Sequence, residues 1–291
     1  MINKGFSYIG IFFLFILSVL PFPMLYLLAY LLYYPLYYLF GYRRKIVREN
    51  LLNSFPEKKL SEIIKIEKDF YKYLITLILE IIKMSSISEP EIKKRVKFIN
   101  TELLQSYLDQ GQSVLGSSGH YGNWEWGMIR FGLLIKEPKY VIYKPLSNLS
   151  FDKWFLDMRS RFGNTLVSMR QTLRMLAGTK NMVTVFLFAS DQTPLKEESN
   201  YWINFLNQPT AVLLGLEKIA LQTNRPVFYF KTKIIKRGYY EIDCVPLCLN
   251  PAQSIDHEIT DLNFKFLEDL IKDQPAYWLW SHRRWKHKPI E

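Results

Sequence analysis

Apolar and polar positions are distributed very unevenly along this 291-residue chain. From Gly5 to Tyr42 no side chain carries a charge, whereas beyond Tyr42 the apolar residues recur with helical or strand periods among charged ones. As one straight helix the uncharged stretch would reach roughly 57 Å, well beyond a hydrocarbon core of about 30 Å. Pro21 and Pro23 divide it into residues 6–20 and 24–40, and Pro35 interrupts the second piece. An interior proline removes a helix hydrogen bond and clashes with the preceding turn, so the pattern predicts a kinked or re-entrant helical anchor.

Residues 57–84 carry a helical rhythm (Leu60, Ile63, Phe70, Leu74, Leu77, Ile81), opened by Pro56 and closed near Ser85-Ser86, which places a helix between anchor and core. Ser88 followed by Glu91 has the order of a capping box, and a helix over 101–110 ends at Gly111. Strand patterns then alternate with helical ones: strands at 113–116, 140–143, 165–168 and 182–189, and helices at 124–135, 151–161 and 171–176. A helix over 211–222, a hairpin of 227–235 with 239–245 turning at Arg237-Gly238, and an amphipathic helix over 255–272 complete the chain. The order predicts an α/β fold, a mixed open sheet flanked by helices with an antiparallel edge. Without repeats or Gly/Ser-rich linkers, the division is a membrane anchor over 1–42 and one soluble domain over 43–291.

Composition narrows the class. Hydrophobic residues make up 49% of the chain, which excludes a disordered protein. The net charge of +11, nearly all of it beyond the anchor, calls for an anionic partner: a lipid surface, nucleic acid or an acidic carrier protein. Tyr26, Tyr30, Tyr33, Tyr34, Tyr37 and Tyr38 form a stripe suited to the head-group boundary. Arg43, Arg44, Lys45 and Arg48 follow at once, and the positive-inside tendency puts them and the following domain on the cytoplasmic side, where they could also bind anionic lipid. A cleaved signal peptide fits poorly with so long an apolar stretch, its internal prolines and the lack of a small-residue cleavage site. Cys244 and Cys248 lack zinc-ribbon spacing and are read as reduced, structural thiols. His257 and His287 have no metal-type partner nearby and are read as surface histidines, so no metal site is expected.

The chemistry concentrates in Gly116-Ser117-Ser118-Gly119-His120-Tyr121-Gly122-Asn123-Trp124-Glu125, a glycine-rich loop that follows a strand and opens a helix. Sites collect at such strand ends in open α/β sheets. On one ideal helix His120 and Glu125 would stand roughly 140° apart, so the histidine belongs in the turn. Asn123 can cap the helix, and Glu125 in its first turn can fold back toward the ring. A carboxylate on one ring nitrogen leaves the other free to take a proton from a hydroxyl, with no nucleophilic Ser or Cys required.

Around this loop the chain resembles the bacterial lipid A biosynthesis (lauroyl/myristoyl) acyltransferase family, a branch of the wider glycerolipid and lysophospholipid acyltransferases that share a His-x4-Asp/Glu motif. The resemblance begins at Asn50-Leu51-Leu52-Asn53-Ser54-Phe55-Pro56 and continues through His120-Tyr121-Gly122-Asn123-Trp124-Glu125. Val141-Ile142-Tyr143-Lys144-Pro145, Arg161-Phe162-Gly163 and Asp191-Gln192-Thr193-Pro194 follow, and Tyr277-Trp278-Leu279-Trp280-Ser281-His282-Arg283-Arg284 closes it. Lys144 stands where the family usually has arginine, replacing a bidentate fork by a point charge, and Asn207 where it usually has glycine.

The resemblance implies an inner-membrane enzyme that moves a fatty acyl chain from a thioester on acyl carrier protein, or on coenzyme A, to a hydroxyl of a membrane lipid, a lipid A precursor. His120 would be the base and Glu125 its orienting partner. Asn123, Lys144, Asp191, Gln192, Arg283 and Arg284 are candidates for holding acceptor phosphates or shaping the site. Bulky Trp278, Trp280 and Trp285 beside the arginines argue for a docked segment rather than a solvated tail. No cofactor is implied, since the acyl thioester is a co-substrate. Acylation of a lysophospholipid or amino-acid lipid is the alternative within enzymes, and a non-catalytic membrane lipid-binding protein the alternative outside them. No nucleic-acid fold signature is present.

Overall fold

The computed structural model describes residues 4–289. Two apolar helices lead the chain: α1 (Lys4–Val19) and α2 (Phe22–Tyr34), the latter continuing through Pro35 as a π-helical turn, Pro35–Phe40. Pro35 therefore widens the helix instead of ending it, and Phe22–Phe40 is long and apolar enough to cross a membrane. Next come α3 (Arg44–Ser54) and α4 (Leu60–Lys83), with Met84 and Ser85 finishing α4 close to the predicted stop.

The helix α4 is the surface on which the leading helices dock. Lys83 Nζ donates to the carbonyls of Ser18 (2.7 Å) and Leu20 (2.9 Å), supplying a cation to orphan carbonyls at the end of α1. Tyr37 donates its hydroxyl to buried Glu67 (2.7 Å), which also receives the guanidinium of Arg48. Tyr26 donates to Glu80 (3.0 Å), fully enclosed and also bonded to the hydroxyl of Tyr240 (2.6 Å). The expected tyrosine stripe thus splits into two faces. Tyr33 and Tyr37 are buried against the protein, while Tyr30, Tyr34 and Tyr38 face outward with Tyr34 and Tyr38 stacked.

The short helix α5 (Glu89–Arg95) is capped by Ser88, whose hydroxyl accepts from the Glu91 amide. The remaining elements alternate: β1 (Val96–Ile99), α6 (Glu102–Asp109), β2 (Val114–Ser118), α7 (Trp124–Gly132), β3 (Lys139–Tyr143), α8 (Leu149–Ser160), β4 (Asn164–Ser168), α9 (Thr172–Gly178) and β5 (Val185–Ala189). A hairpin of β6 (Tyr201–Phe205) and β7 (Gln208–Val212), then α10 (Gly215–Thr223), β8 (Val227–Lys236), β9 (Tyr239–Cys248) and α11 (Glu258–Asp273) complete it.

Seven strands form one sheet in the order β1-β9-β8-β2-β5-β3-β4. The run β8-β2-β5-β3-β4 is parallel, β9 is antiparallel to β8, and β1 pairs parallel with β9. The fold is the expected α/β mixed open sheet with helices around it and an antiparallel edge. Val114, Leu115, Val185 and Phe186 of the two central strands are fully buried, as a strand covered on both faces requires. Cys244 and Cys248 lie on β9 as free thiols, and burial pushes the Cys244 thiol up to about 12.

Two features depart from the expectation. β1 is a strand of only four residues, too short to announce a period. The region expected to open a helix at Ala211 is instead the end of β7, and α10 begins only at Gly215. The hairpin turn places Leu206 (φ 51°) and Asn207 (φ 60°) both in the left-handed region, the geometry of a type I′ turn. Without a glycine there, the turn carries no strong sequence signal. Asn207, at the family's usual glycine position, tolerates that conformation and donates its amide to the Ser54 carbonyl at 3.0 Å.

Gly132 ends α7 against the turn before β4, where a β-carbon would lie 2.4 Å from the Phe162 carbonyl oxygen. Gly132→Ala is expected to destabilise the chain by about 1–3 kcal/mol through overpacking against backbone. The check is a denaturation midpoint that falls while the slope is unchanged; an unshifted midpoint overturns it.

Candidate active site

Strand register builds the site. β2 and β5 are parallel neighbours with Ser118 opposite Ala189, so two residues further on His120 and Asp191 arrive side by side at the same sheet edge. The His120 amide donates to Asp191 Oδ2 (3.0 Å), and the ring Nδ1 lies 2.5 Å from Asp191 Oδ1. Trp278 closes the carboxylate from the other side, its indole N–H donating to Oδ2 at 2.9 Å. Gly122, with φ 60° and a β-carbon position only 2.6 Å from the Thr232 methyl, lets the loop turn tightly enough to reach α7.

The carboxylate that meets the ring is thus that of Asp191, where the spacing had pointed to Glu125. Glu125 sits in the first turn of α7 and turns to Arg159 on α8, which grips it with two nitrogens, Nε at 2.9 Å from Oε2 and Nη2 on Oε1. Glu125 acts on His120 only through space. Burial by itself would lower the Arg159 and His120 pKa values. Nearby groups together outweigh this, chiefly the Glu125 carboxylate with Asp152 for Arg159 and the Asp191 carboxylate with Glu125 for His120, so both are raised. Asp191, despite burial, is held far below the usual carboxylate range by the charge and hydrogen bond of His120.

The second ring nitrogen of His120 faces Gln192, whose Nε2 lies 3.0 Å away. With Nδ1–H donated to Asp191, Nε2 is the acceptor of that amide. The His120 side chain keeps 14% of its surface open, enough for a hydroxyl to approach, and Trp124 packs edge-on to the ring at 5.0 Å. The site can therefore abstract a proton at one nitrogen while a buried anion steadies the imidazolium.

The other predicted residues fall in different places. Asn123 is fully buried and spent on the fold: its Oδ1 caps α7 at the Trp126 amide (2.9 Å) and its amide donates to Glu80 (2.7 Å). Lys144 is exposed just beyond β3. Arg283 is exposed, its carbonyl accepting from Thr193. Arg284 is buried, donating to the Ala211 carbonyl (2.6 Å), and desolvation lowers its pKa to about 10. Arg284 thus shapes the wall behind Asp191 instead of presenting a charge to a head group. His257 is half-buried, stacked on Tyr201 at 3.8 Å.

Three contributors were not named for their roles by the sequence reading. Arg159 had no local signal, although an enclosed Glu125 requires a counter-charge. Trp278 stood in a recognised block without a function. His282 packs beside the site, its Nε2 accepting from the Thr193 amide at 3.2 Å, and burial lowers its pKa to about 4, so it is neutral at physiological pH.

Comparison with known proteins agrees with this arrangement of blocks. Residues 1–287 match the model of the bacterial lipid A biosynthesis acyltransferases. The chain is 24% identical over 285 residues to the lipid A biosynthesis lauroyltransferase of Escherichia coli (strain K12), covering 97% of this chain and 92% of that protein. It is 22% identical over 286 residues to the lipid A biosynthesis palmitoleoyltransferase of the same organism, and equally to the lipid A biosynthesis acyltransferase of Shigella flexneri, covering 98% of this chain and 92% of each relative. A match over nearly its whole length means that the chain belongs to the bacterial lipid A biosynthesis acyltransferase family.

Proposed function

We propose that the protein transfers a fatty acyl chain from a thioester, carried by acyl carrier protein, to a hydroxyl of a lipid A precursor at the cytoplasmic face of the inner membrane. The single observation that carries the mechanism is the hydrogen-bonded pair of His120 and Asp191, with the second imidazole nitrogen held by the Gln192 amide and the side chain 14% exposed. Residues 1–42 serve as the membrane anchor and the remainder as the acyltransferase domain. The apolar stretch Phe22–Phe40 and the outward tyrosines support this division. The net charge of +11 favours approach of an acidic carrier protein.

In the reaction the acceptor hydroxyl displaces the Gln192 amide from His120 Nε2 and gives its proton to that nitrogen as its oxygen attacks the thioester carbonyl. The tetrahedral intermediate collapses by breaking the carbon–sulfur bond, and the imidazolium returns the proton to the leaving thiolate. Asp191 stabilises the imidazolium throughout. No acyl-enzyme forms, and the Gln192 amide, once displaced, is free to donate to the developing oxyanion. Glu125 and Arg159, a closed ion pair on adjoining helices, hold α7 and α8 together beside the loop. Glu125 is therefore a positioning residue for His120 in this mechanism, and Asp191 its direct partner.

The substrate test is mass spectrometry of lipid A and of total polar lipids from cells lacking the protein, complemented by wild type or by His120→Ala. Loss of one acyl chain from lipid A, restored only by wild type, is expected. Intact lipid A with an accumulating lysolipid would assign another acceptor, and no change in either pool would remove the catalytic reading.

The pH profile separates the two carboxylates. His120 must be unprotonated at Nε2 to act as base, so activity falls as pH drops through its pKa, which stands above the ordinary imidazole value of about 6.5. Asp191→Asn removes the raising interaction and leaves burial dominant. The acid limb should move to lower pH and kcat should fall about 100- to 10,000-fold. Glu125→Gln should move that limb less. A larger shift from Glu125→Gln than from Asp191→Asn would return the orienting role to Glu125.

A further inference from the structure

Because β2, β5, β3 and β4 run parallel, the segments leaving their C-terminal ends all emerge at the edge that carries His120. Two of these segments are unusually apolar and basic. After β3 the chain presents Lys144, Leu146 (44% exposed) and Leu149 (76% exposed). After β4 it presents Met169 (43%), Arg170, Leu173 (67%) and Arg174. The register places the two segments side by side, with Tyr143 opposite Ser168.

Charge reinforces the pattern. From Met158 to Ser190 there is no acidic residue, while five arginines and lysines occur, of which Arg161, Arg170, Arg174 and Lys180 are exposed. This face is also continuous with the leading helices. Asn148, at the start of α8, donates to the hydroxyl of Ser7 on α1 (3.1 Å), and Phe151 lies against Gly10. Ser7 is flanked by Phe6 (69% exposed) and Tyr8 (62%), so the apolar surface of α1 runs directly into Leu149.

We propose that the β3–α8 and β4–α9 segments form a second membrane contact, in which Leu146, Leu149, Met169 and Leu173 enter the interface of an anionic bilayer and Arg170, Arg174 and Lys144 meet its phosphates. Exposed leucines beside arginines suit that boundary, where apolar side chains enter the acyl region and cations stay at the head groups. The consequence is a site held mouth-down on the lipid surface, so that a lipid hydroxyl reaches His120 without leaving the membrane. This rests on the reading of residues 1–42 as a membrane anchor, and the test separates the two.

The full chain, with Cys244→Ala and Cys248→Ser as background, is labelled with an environment-sensitive fluorophore at Leu149→Cys or Leu173→Cys. Leu31→Cys on α2 reports the anchor, and Met182→Cys, exposed at the opposite sheet edge, reports solvent. In vesicles of phosphatidylcholine with about one-third phosphatidylglycerol, labels at 149 and 173 are expected to shift to the blue. Lipids carrying a doxyl group near the head group should quench them several-fold more than the label at 182. Replacing Arg170 and Arg174 by serine should reduce that difference. Labels at 149 and 173 that behave like the one at 182, with the label at 31 quenched, overturn the second contact and leave the anchor standing. A label at 31 that is quenched neither by head-group doxyl lipids nor by lipids carrying the doxyl group deep in the acyl chain, where the centre of Phe22–Phe40 would lie, removes the anchor reading itself.

Discussion

Three separated parts of the chain meet at one carboxylate. Asp191 accepts from the backbone and ring of His120 and from the indole of Trp278. Removing a carboxylate from water is costly unless such partners replace its hydration. The arrangement therefore couples the loop after β2, the end of β5 and the segment after α11. The meeting of the first two parts follows from two parallel strands in register, since Ser118 opposite Ala189 brings the residues two further on to neighbouring positions.

Two further enclosed carboxylates govern how the leading helices sit. Glu67 and Glu80 both lie on α4 and both receive tyrosine hydroxyls from α2 and its π-helical continuation. Glu80 also receives the amide of Asn123, the cap of α7, so the helix that follows the His120 loop and the apolar helix α2 share one acceptor. Burial raises the Glu80 pKa despite these donors. The leading helices and the helix after the His120 loop are thus joined by hydrogen bonds to a common group, not by apolar packing alone.

Much of this was legible in the residues. The alternation of strands and helices gave the fold class, because central strands such as β5, buried at Val185, Phe186 and Leu187, write continuous apolar runs. Ser88 and Asn123 announced their caps because capping is a local interaction. The His120 loop was found because glycine spacing and a strand-to-helix junction are local too. The ring's partner was missed for the opposite reason: Asp191 is brought to His120 by sheet order, and sheet order is not written in spacing along the chain. Arg159 was invisible on the same ground, as its meeting with Glu125 depends on how α7 and α8 pack. The tyrosine stripe misled because periodicity shows that residues share a helix but not which side of it a neighbour will cover.

The segment from Trp278 to Trp285 is tied to partners spread across the sequence. Asn50 donates to the carbonyls of Trp280 and His282, Arg43 to that of Ser281, Thr193 to those of Arg283 and Arg284, and Arg284 reaches Ala211. Every one of those partners leaves the ribosome before the segment does. A nascent chain that has reached Tyr277 holds its leading helices, its sheet strands and its histidine, yet Asp191 still lacks its indole donor and Asn50 on α3 its carbonyls. The geometry around His120 and Asp191 is therefore completed only after all of these partners have been made and the segment from Trp278 has docked on them.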